Sequence, residues 1–160
     1  MLSQGMDEFF PDALQDLKLI DVNKNVEVTH RDVGIGISQV LPVLVMAYGS
    51  SGKLLAMEQP EIHLHPAIQA ELADVFIESA LGIRQNTFIL ETHSEHIILR
   101  LLRRIREGSL KSEDICVVFV EPLSQGSRAI ELRIDEDGDF IDEWPGGFFE
   151  ESFHEKFGGR

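Results

Sequence analysis

Hydrophobic and polar positions along the chain predict strands and helices in alternation. Short apolar runs at residues 53–57, 86–91 and 114–120 are typical of buried strands. Between them, apolar residues recur at helical spacing over residues 66–81, and a second helix is predicted over 94–107 with Ser94 as its N-cap. The order strand, helix, strand, helix, strand predicts a three-layer α/β fold with a mainly parallel sheet.

The chain on either side of this pattern predicts hairpins and one more helix. Residues 17–21 and 25–30 flank an Asn-Lys-Asn turn, as in a β-hairpin. A Gly-rich turn at residues 34–38 is expected to open a helix over about 38–48. Ser38 is the expected N-cap, and Pro42 is expected near the first turn, where its missing N–H costs little. Residues 128–134 are expected to form an edge or hairpin strand, closed by Asp135-Glu-Asp-Gly138.

Composition narrows the class of protein. A chain of 160 residues that is 43% hydrophobic is expected to bury one core. Its net charge of -14 argues against a surface that wraps nucleic acid through phosphate contacts. The single cysteine, Cys116, excludes a disulfide framework. Without a signal-peptide pattern or an apolar run near the roughly 20 residues that span a bilayer, we expect a cytoplasmic protein with no membrane contact.

The most informative segment is the strand that ends in Glu58-Gln-Pro-Glu-Ile-His-Leu-His-Pro66. A carboxylate at the carboxyl end of a parallel strand can hold the water shell of Mg²⁺, which makes Glu58 a candidate ligand. The next strand is followed by Thr92-His93-Ser94. We expect His93 beside the Glu58 strand, where it can contact a γ-phosphate or the attacking water.

Phosphate binding is the open point of the sequence. The helix start at Gly34-x-Gly36-x-Ser38-Gln39 can offer N–H groups to a phosphate, although a plain Gly-rich turn has the same pattern. Gly-x-x-x-x-Gly-Lys-[Ser/Thr] does not occur. Residues 47–54 come nearest, but they carry Ala47 for the first glycine and Leu54 for the Mg²⁺-binding hydroxyl, and they precede a strand.

In this order the motifs resemble the ABC-type ATPase domain, read from its signature motif onward. The closer resemblance is to the AAA-type ABC ATPases of the overcoming-lysogenization-defect and DNA-repair kind. It rests on residues 34–42, on Glu58 to Pro66, and on Trp144-Pro-Gly-Gly-Phe-Phe149. The resemblance covers residues 26–150 and implies the C-terminal half of a P-loop NTPase fold. Residues 1–25 are then an N-terminal remnant or lead-in, and residues 151–160 a polar tail.

The resemblance also implies roles. Glu58 would hold Mg²⁺ through water, His93 would sense the γ-phosphate, and Gln59 stands where the family carries its catalytic glutamate. A Gln orients water but cannot take its proton, and loss of such a base costs about 10²–10⁴ in rate. Either Glu61, an accessory carboxylate, or His93 shares that role, or ATP acts as a dimer clamp. The remaining implied residues are His63 and His65 of the D-loop and the signature-loop residues that contact the partner subunit's ATP, Gly34, Gly36, Ser38 and Gln39.

The implied cofactors are ATP and Mg²⁺, bound only in the complete assembly. The implied partners are an N-terminal P-loop half from the same gene or a separate chain, a second copy in a homodimer, and a nuclease or nucleic acid in DNA processing or phage defence. Isolated, the chain is expected to hydrolyse ATP poorly or not at all.

Four further interpretations remain open at this point. The chain can be a non-catalytic interaction module that binds a partner through an exposed sheet edge, or a metallohydrolase that uses His63, His65 and His93. Arginines near the end of the second predicted helix can contact nucleic acid or form a solvated face, and residues 135–138 can be a Ca²⁺ loop or a hairpin turn.

Overall fold

The computed structural model describes residues 18–21, 25–29 and 34–145. They form a mixed α/β structure. Trp144 lies at the end of this range, and its ring packs against Phe140 at 4.9 Å between ring centroids. Residues 146–149 of the aromatic motif and the tail 151–160 lie outside it.

In chain order the elements are β1 (Lys18–Asp21), β2 (Val26–Thr29), α1 (Ile35–Gly49), β3 (Leu54–Glu58), α2 (Pro66–Leu81), β4 (Thr87–Glu91), α3 (Glu95–Arg106), a 3₁₀ turn (Ser112–Asp114), β5 (Val117–Pro122) and β6 (Ser127–Leu132).

The strands of the described residues form three two-stranded sheets. β1 and β2 pair antiparallel, which confirms the predicted hairpin. β3 and β4 pair parallel, and β5 pairs antiparallel with β6 rather than joining β4. The expected mainly parallel sheet therefore appears here only as the β3–β4 pair. A four-residue turn explains the difference, because Leu123 N–H bonds the Gly126 carbonyl at 3.0 Å and returns the chain directly beside β5.

The core lies on one face of the parallel pair. Leu55 and Met57 of β3 and Phe88 and Leu90 of β4 contact α1 and α2, and the Phe88 ring packs on Phe76 with centroids 5.0 Å apart. The buried members of this cluster are Val43, Met57, Leu64, Leu72 and Phe76. The opposite face of the pair is exposed, since Leu54 and Ile89 keep 65% and 59% of their accessible surface.

Buried Asn86 fixes the starting ends of β3 and β4. Its side-chain N–H₂ donates to the carbonyls of Ala47 and Ser50 at 3.2 and 3.1 Å, and its side-chain oxygen accepts from the Lys53 N–H at 2.9 Å. Buried polar groups of this kind are tolerated when they are fully hydrogen-bonded. The end of α1 is thereby tied to the starting ends of both strands.

The start of α1 differs from the prediction. The helix begins at Ile35 with Gly34 as N-cap, so Ser38 lies within the first turn and is not the cap. Pro42 is consequently inside the helix. Lacking an N–H, it cannot donate to the carbonyl of Ser38. By contrast, Ser94 caps α3 as predicted, since its hydroxyl oxygen accepts from the Ile97 N–H at 3.2 Å.

The acidic segment after β6 is a turn. Asp135 and Asp139 exchange backbone and side-chain hydrogen bonds at 2.9 Å, and Ile134 bridges Phe140. Gly138 in this turn approaches the backbone of α3 closely. The hairpin-turn interpretation is confirmed, and residues 18–21, 25–29 and 34–145 contain no cluster of three or more metal-ligating side chains. Nor does any helix in those ranges have the length and apolarity to cross a membrane.

Candidate functional site

The carboxyl ends of β3 and β4 meet at one end of the molecule. Glu58 is in register with Glu91, and the Gln59 N–H donates to the Glu91 carbonyl at 2.7 Å, which extends the ladder by one bond. Residues in register on parallel strands point to the same face. An open groove of about 490 Å³ lies on this side and is lined by Ala56, Met57, Glu58, Ile89 and Glu91.

A tight turn follows Glu58 and has two non-glycine residues in the left-handed region. Gln59 has φ 44° and His63 has φ 63°. The Ile62 N–H bonds the Gln59 carbonyl, and the Leu64 N–H bonds the Glu61 carbonyl, both at 3.1 Å. Such backbone conformations are uncommon outside glycine and persist where the surroundings impose them. We call residues 59–65 the acidic turn.

Glu61 of the acidic turn points inward and holds the loop that carries His93. Its Oε1 accepts from the Thr92 hydroxyl at 2.7 Å and from the His93 N–H at 2.9 Å. The His93 side chain itself is exposed. The structure therefore brings Glu58, Gln59, Glu61 and His93 to the same end of the β3–α2–β4 unit, while their catalytic roles stay predictions.

Gln69 makes a second connection between the same two loops. Its amide N–H₂ donates to the Leu64 carbonyl at 3.0 Å, and its amide oxygen accepts from the Ser94 hydroxyl at 2.7 Å. Neither Gln69 nor Glu91 was predicted from the sequence. Glu91 could have been identified from the sequence, because it ends β4 just as Glu58 ends β3. Gln69 could not, because its contact depends on how α2 packs.

The first turn of α1 packs on the acidic turn. A Cβ atom on Gly36 would lie 3.0 Å from the His63 carbonyl oxygen and 3.3 Å from the Leu64 side chain, so glycine permits this approach. Gly34 faces open space. Ser38 is half-buried and Gln39 is exposed. Contact of these residues with a partner subunit's ATP is not tested by this arrangement and stays a prediction.

The two histidines of the acidic turn differ in role. His65 is the N-cap of α2, where its Nδ1 accepts from the Ala67 N–H at 3.3 Å. His63 is exposed, in the left-handed conformation noted above. Since no three His, Cys, Asp or Glu side chains cluster as metal ligands in the described ranges, the metallohydrolase alternative gains no support.

The arginines of α3 pair with carboxylates of the chain itself, which favours the solvated-face interpretation over nucleic-acid contact. The Arg104 guanidinium, by its hydrogen bonds, holds the pKa of the Asp74 carboxyl below its ordinary value, with Arg100 adding to the effect. The pairs to Asp74 join α2 to α3, and the pair between Arg106 and Asp139 joins α3 to the turn after β6. The pairs to Glu107 lie at the end of α3. The ion pairs are Arg100–Asp74, Arg104–Asp74, Arg103–Glu107, Arg104–Glu107 and Arg106–Asp139, all between 2.6 and 2.9 Å.

The donor set at the strand ends suits one half of a Mg²⁺·ATP site. Mg²⁺ in such sites takes one or two carboxylates, waters and the oxygens of the substrate phosphates. Glu58 and Glu91 supply exposed carboxylates on strand positions that are in register. The 160-residue sequence has no P-loop motif that would bind the triphosphate.

Comparison with known proteins assigns the chain to a family. A family model for the AAA ATPase domain matches residues 3–98, a range that includes α1, the β3–α2–β4 unit, the acidic turn and His93. No curated protein and no solved structure matches the chain. Since the family match spans more than half of the sequence, this chain belongs to the AAA ATPase domain family.

Proposed function

We propose that the chain supplies the Walker B carboxylate, D-loop, sensor histidine and signature loop of an ATP-binding and ATP-hydrolysing ATPase of the ABC type. The observation that carries the proposal is the parallel register of Glu58 with Glu91. This register puts the acidic turn and the His93 loop at the carboxyl end of one parallel pair, which is where open α/β sheets bind their ligands.

Each residue then has a chemical task. Bound Mg²⁺ would neutralise charge on the phosphates. Glu58 would hold its water shell, and Glu91 is available beside it. Gln59 would orient water by hydrogen bonding without accepting its proton, and His93 would contact the γ-phosphate. Because no general base stands at residue 59, we expect slow turnover, so that ATP acts mainly to hold a dimer together.

The proposal extends to the assembly. A P-loop half, in the same gene product or in another chain, would supply the residues that bind the phosphates. It would also add strands to the parallel pair and so complete the sheet of a three-layer fold. Gly34, Gly36, Ser38 and Gln39 would contact the ATP of a second copy. Work on DNA in the cytoplasm, with a nuclease partner in phage defence, is the cellular role that the resemblance suggests.

A second candidate function has its own observation. The face of the parallel pair that carries Leu54, Ala56 and Ile89 is exposed and apolar. Large exposed apolar patches mark interaction sites. On this view the chain is a non-catalytic module that binds a partner polypeptide through the β3–β4 sheet and needs no nucleotide.

The experiment is an ATPase assay of the chain, alone and together with the polypeptide that carries Gly-x-x-x-x-Gly-Lys-[Ser/Thr]. We expect hydrolysis only in the combined sample, a loss of about 10²-fold or more in Glu58→Gln, and a gain in Gln59→Glu, which restores a base. Glu113→Gln, remote from the strand ends, is the control and is expected to leave the rate unchanged.

The two candidates separate on the same samples. Association that is equally tight with and without Mg²⁺·ATP, together with no hydrolysis in any variant, would favour the interaction module. A complex that hydrolyses ATP at the same rate after Glu58→Gln would contradict the role proposed for Glu58.

A further inference from the structure

Glu61 is a buried carboxylate whose hydrogen bonds are unevenly distributed. Only 6% of its surface is accessible. Both hydrogen bonds reach the same oxygen, Oε1, and within the described ranges the buried Oε2 has no hydrogen-bond partner. A buried carboxylate is costly unless it is hydrogen-bonded, so the two bonds at Oε1 identify what this side chain does.

Those bonds hold the backbone at the point where the chain leaves β4. The His93 N–H has left the sheet ladder and donates instead to Glu61. The Thr92 hydroxyl oxygen accepts from the Ser94 N–H at 3.0 Å and donates its proton to Glu61. Since the donors on both sides of His93 are fixed in this way, the His93 Cα and the start of α3 are set relative to the acidic turn.

The same bonds argue against Glu61 as a general base. A base must reach the proton that it abstracts, directly or through one water. Glu61 is buried, and it does not line the groove that Glu58 and Glu91 share. One of its two carboxylate oxygens, Oε1, already accepts two hydrogen bonds. The accessory role that the resemblance implies for Glu61 stays a prediction, while the two hydrogen bonds at Oε1 indicate a positioning role.

We propose that Glu61 is a positioning residue, which holds His93 at the carboxyl end of the parallel pair by accepting hydrogen bonds from the His93 loop. The proposal rests on the ATPase function proposed above, because it states how that site places its sensor histidine. Its chemistry needs an oxygen acceptor at Oε1, while a negative charge is not required.

The acidic turn also contacts the first turn of α1. Gln59 and His63 of the turn have left-handed backbone conformations, and Gly36 of α1 packs against the His63 carbonyl. Gln69 adds a parallel path from Leu64 to Ser94.

The test compares two substitutions of Glu61 in the full chain. Glu61→Gln keeps an oxygen that can accept from Thr92 and His93, whereas Glu61→Ala removes it. The first readout is the imidazole C–H signal of His93 in a histidine-labelled sample, assigned with His93→Asn. The second is ATP hydrolysis by the assembly that contains the P-loop polypeptide. Urea unfolding monitors global stability in parallel.

We expect the His93 signal of Glu61→Gln to stay at the wild-type position, with a rate close to wild type. In Glu61→Ala the signal should shift or broaden, and the rate should fall about 10²-fold, the scale of a misplaced catalytic group. If both variants lose the rate equally, the charge or a base is required and the proposal is wrong. It is also wrong if Glu61→Ala leaves the His93 signal unchanged.

Thr92 supplies an independent pair in case a Glu61 variant does not fold. Thr92→Ser keeps the hydroxyl and should preserve the His93 signal, while Thr92→Val keeps the shape without the hydroxyl and should disturb it. An undisturbed signal in Thr92→Val would contradict the proposed bridge. Failure of the proposed ATPase function can be told apart from failure of the positioning role. If the ATPase function is wrong, the wild-type assembly is inactive, but the His93 signal still responds to Glu61→Ala.

Discussion

At the scale of single residues, backbone conformation separates positions that only glycine suits from positions that their neighbours constrain. Gly138 and Gly126 have φ of 74° and 84°, in a region where L side chains are strained. Gln59 and His63 have similar φ values with full side chains, and they lie in the acidic turn. Non-glycine residues in this region cluster at functional sites, where neighbouring contacts offset the strain.

The two glycines give a matched pair of substitutions. A Cβ atom on Gly138 would lie 2.5 Å from the Leu102 carbonyl oxygen of α3, whereas one on Gly126 would meet nothing within 4 Å. We expect Gly126→Ala to lower the free energy of unfolding by about 1–2 kcal/mol from backbone strain alone. Gly138→Ala should lose a further 1–3 kcal/mol, on the order of an overpacked site, because α3 must shift. Urea unfolding of both variants checks this; equal losses would contradict the contact with α3.

At the scale of elements, a charged cluster joins α2 to α3. Asp74 on α2 accepts from Arg100 and Arg104 on α3 at 2.7 to 2.9 Å. The sequence predicted both helices and the basic end of α3. It did not identify the partner, because Asp74 and Arg104 are distant in the chain and meet only through helix packing.

The pKa of Asp74 makes this junction sensitive to acid. Hydrogen bonds from Arg104 lower that pKa from its ordinary 3.8, so the ionised form is favoured in the folded state. The resulting stability is present above the ordinary pKa and is lost as the pH falls through the lowered one. We expect Asp74→Asn to cost about 1 kcal/mol at pH 7, since the pair is partly exposed. The difference from wild type should shrink below about pH 4.

Unfolding curves from pH 7 to pH 3 measure this difference. Glu113→Gln is the matched control, because Glu113 pairs with Lys111 while both side chains are about 75% exposed. It should leave stability unchanged near neutral pH. If the difference in free energy of unfolding between Asp74→Asn and wild type grows on acidification, the predicted direction of the pH dependence is wrong.

At the scale of the whole molecule, the parallel pair has one covered face and one open face. Phe88 contacts Phe76 in the core, while its neighbour Ile89 is largely exposed on the other side. Alternation of this kind is the ordinary pattern of a half-covered sheet. A parallel sheet is usually covered on both faces, which is the physical reason to expect a further layer over Leu54 and Ile89.

Substitution of the two neighbours tests this asymmetry. Phe88→Ala should lower the free energy of unfolding by about 3 kcal/mol, because it removes a core ring. Ile89→Thr should change it by less than about 0.5 kcal/mol in the isolated chain, because that face is open. In a pull-down with the P-loop polypeptide, Ile89→Thr should weaken binding. Equal binding by wild type and Ile89→Thr would mean that the partner does not cover this face.

Much of the fold could be predicted from local sequence. The helix predicted from Pro66 to about residue 81 is α2, and the N-cap at Ser94 and the hairpin around Asn25 were correct. These features depend on periodicity, capping and turn chemistry between near neighbours. The start of α1 was predicted late, because a serine is a stronger N-cap signal than the glycine that takes the position.

By itself, the sequence determined which side chains end up at the strand ends. Glu58 ends one apolar run that was predicted as a strand, Gln59 follows it, and His93 follows a second such run; the motif pattern carried the family resemblance. Tertiary structure alone decided that β5 would turn back to β6, and that Glu61 would face inward to hold the His93 loop. Strand pairing and buried hydrogen bonds join residues about thirty positions apart, and short-range patterning holds no information about which distant groups meet.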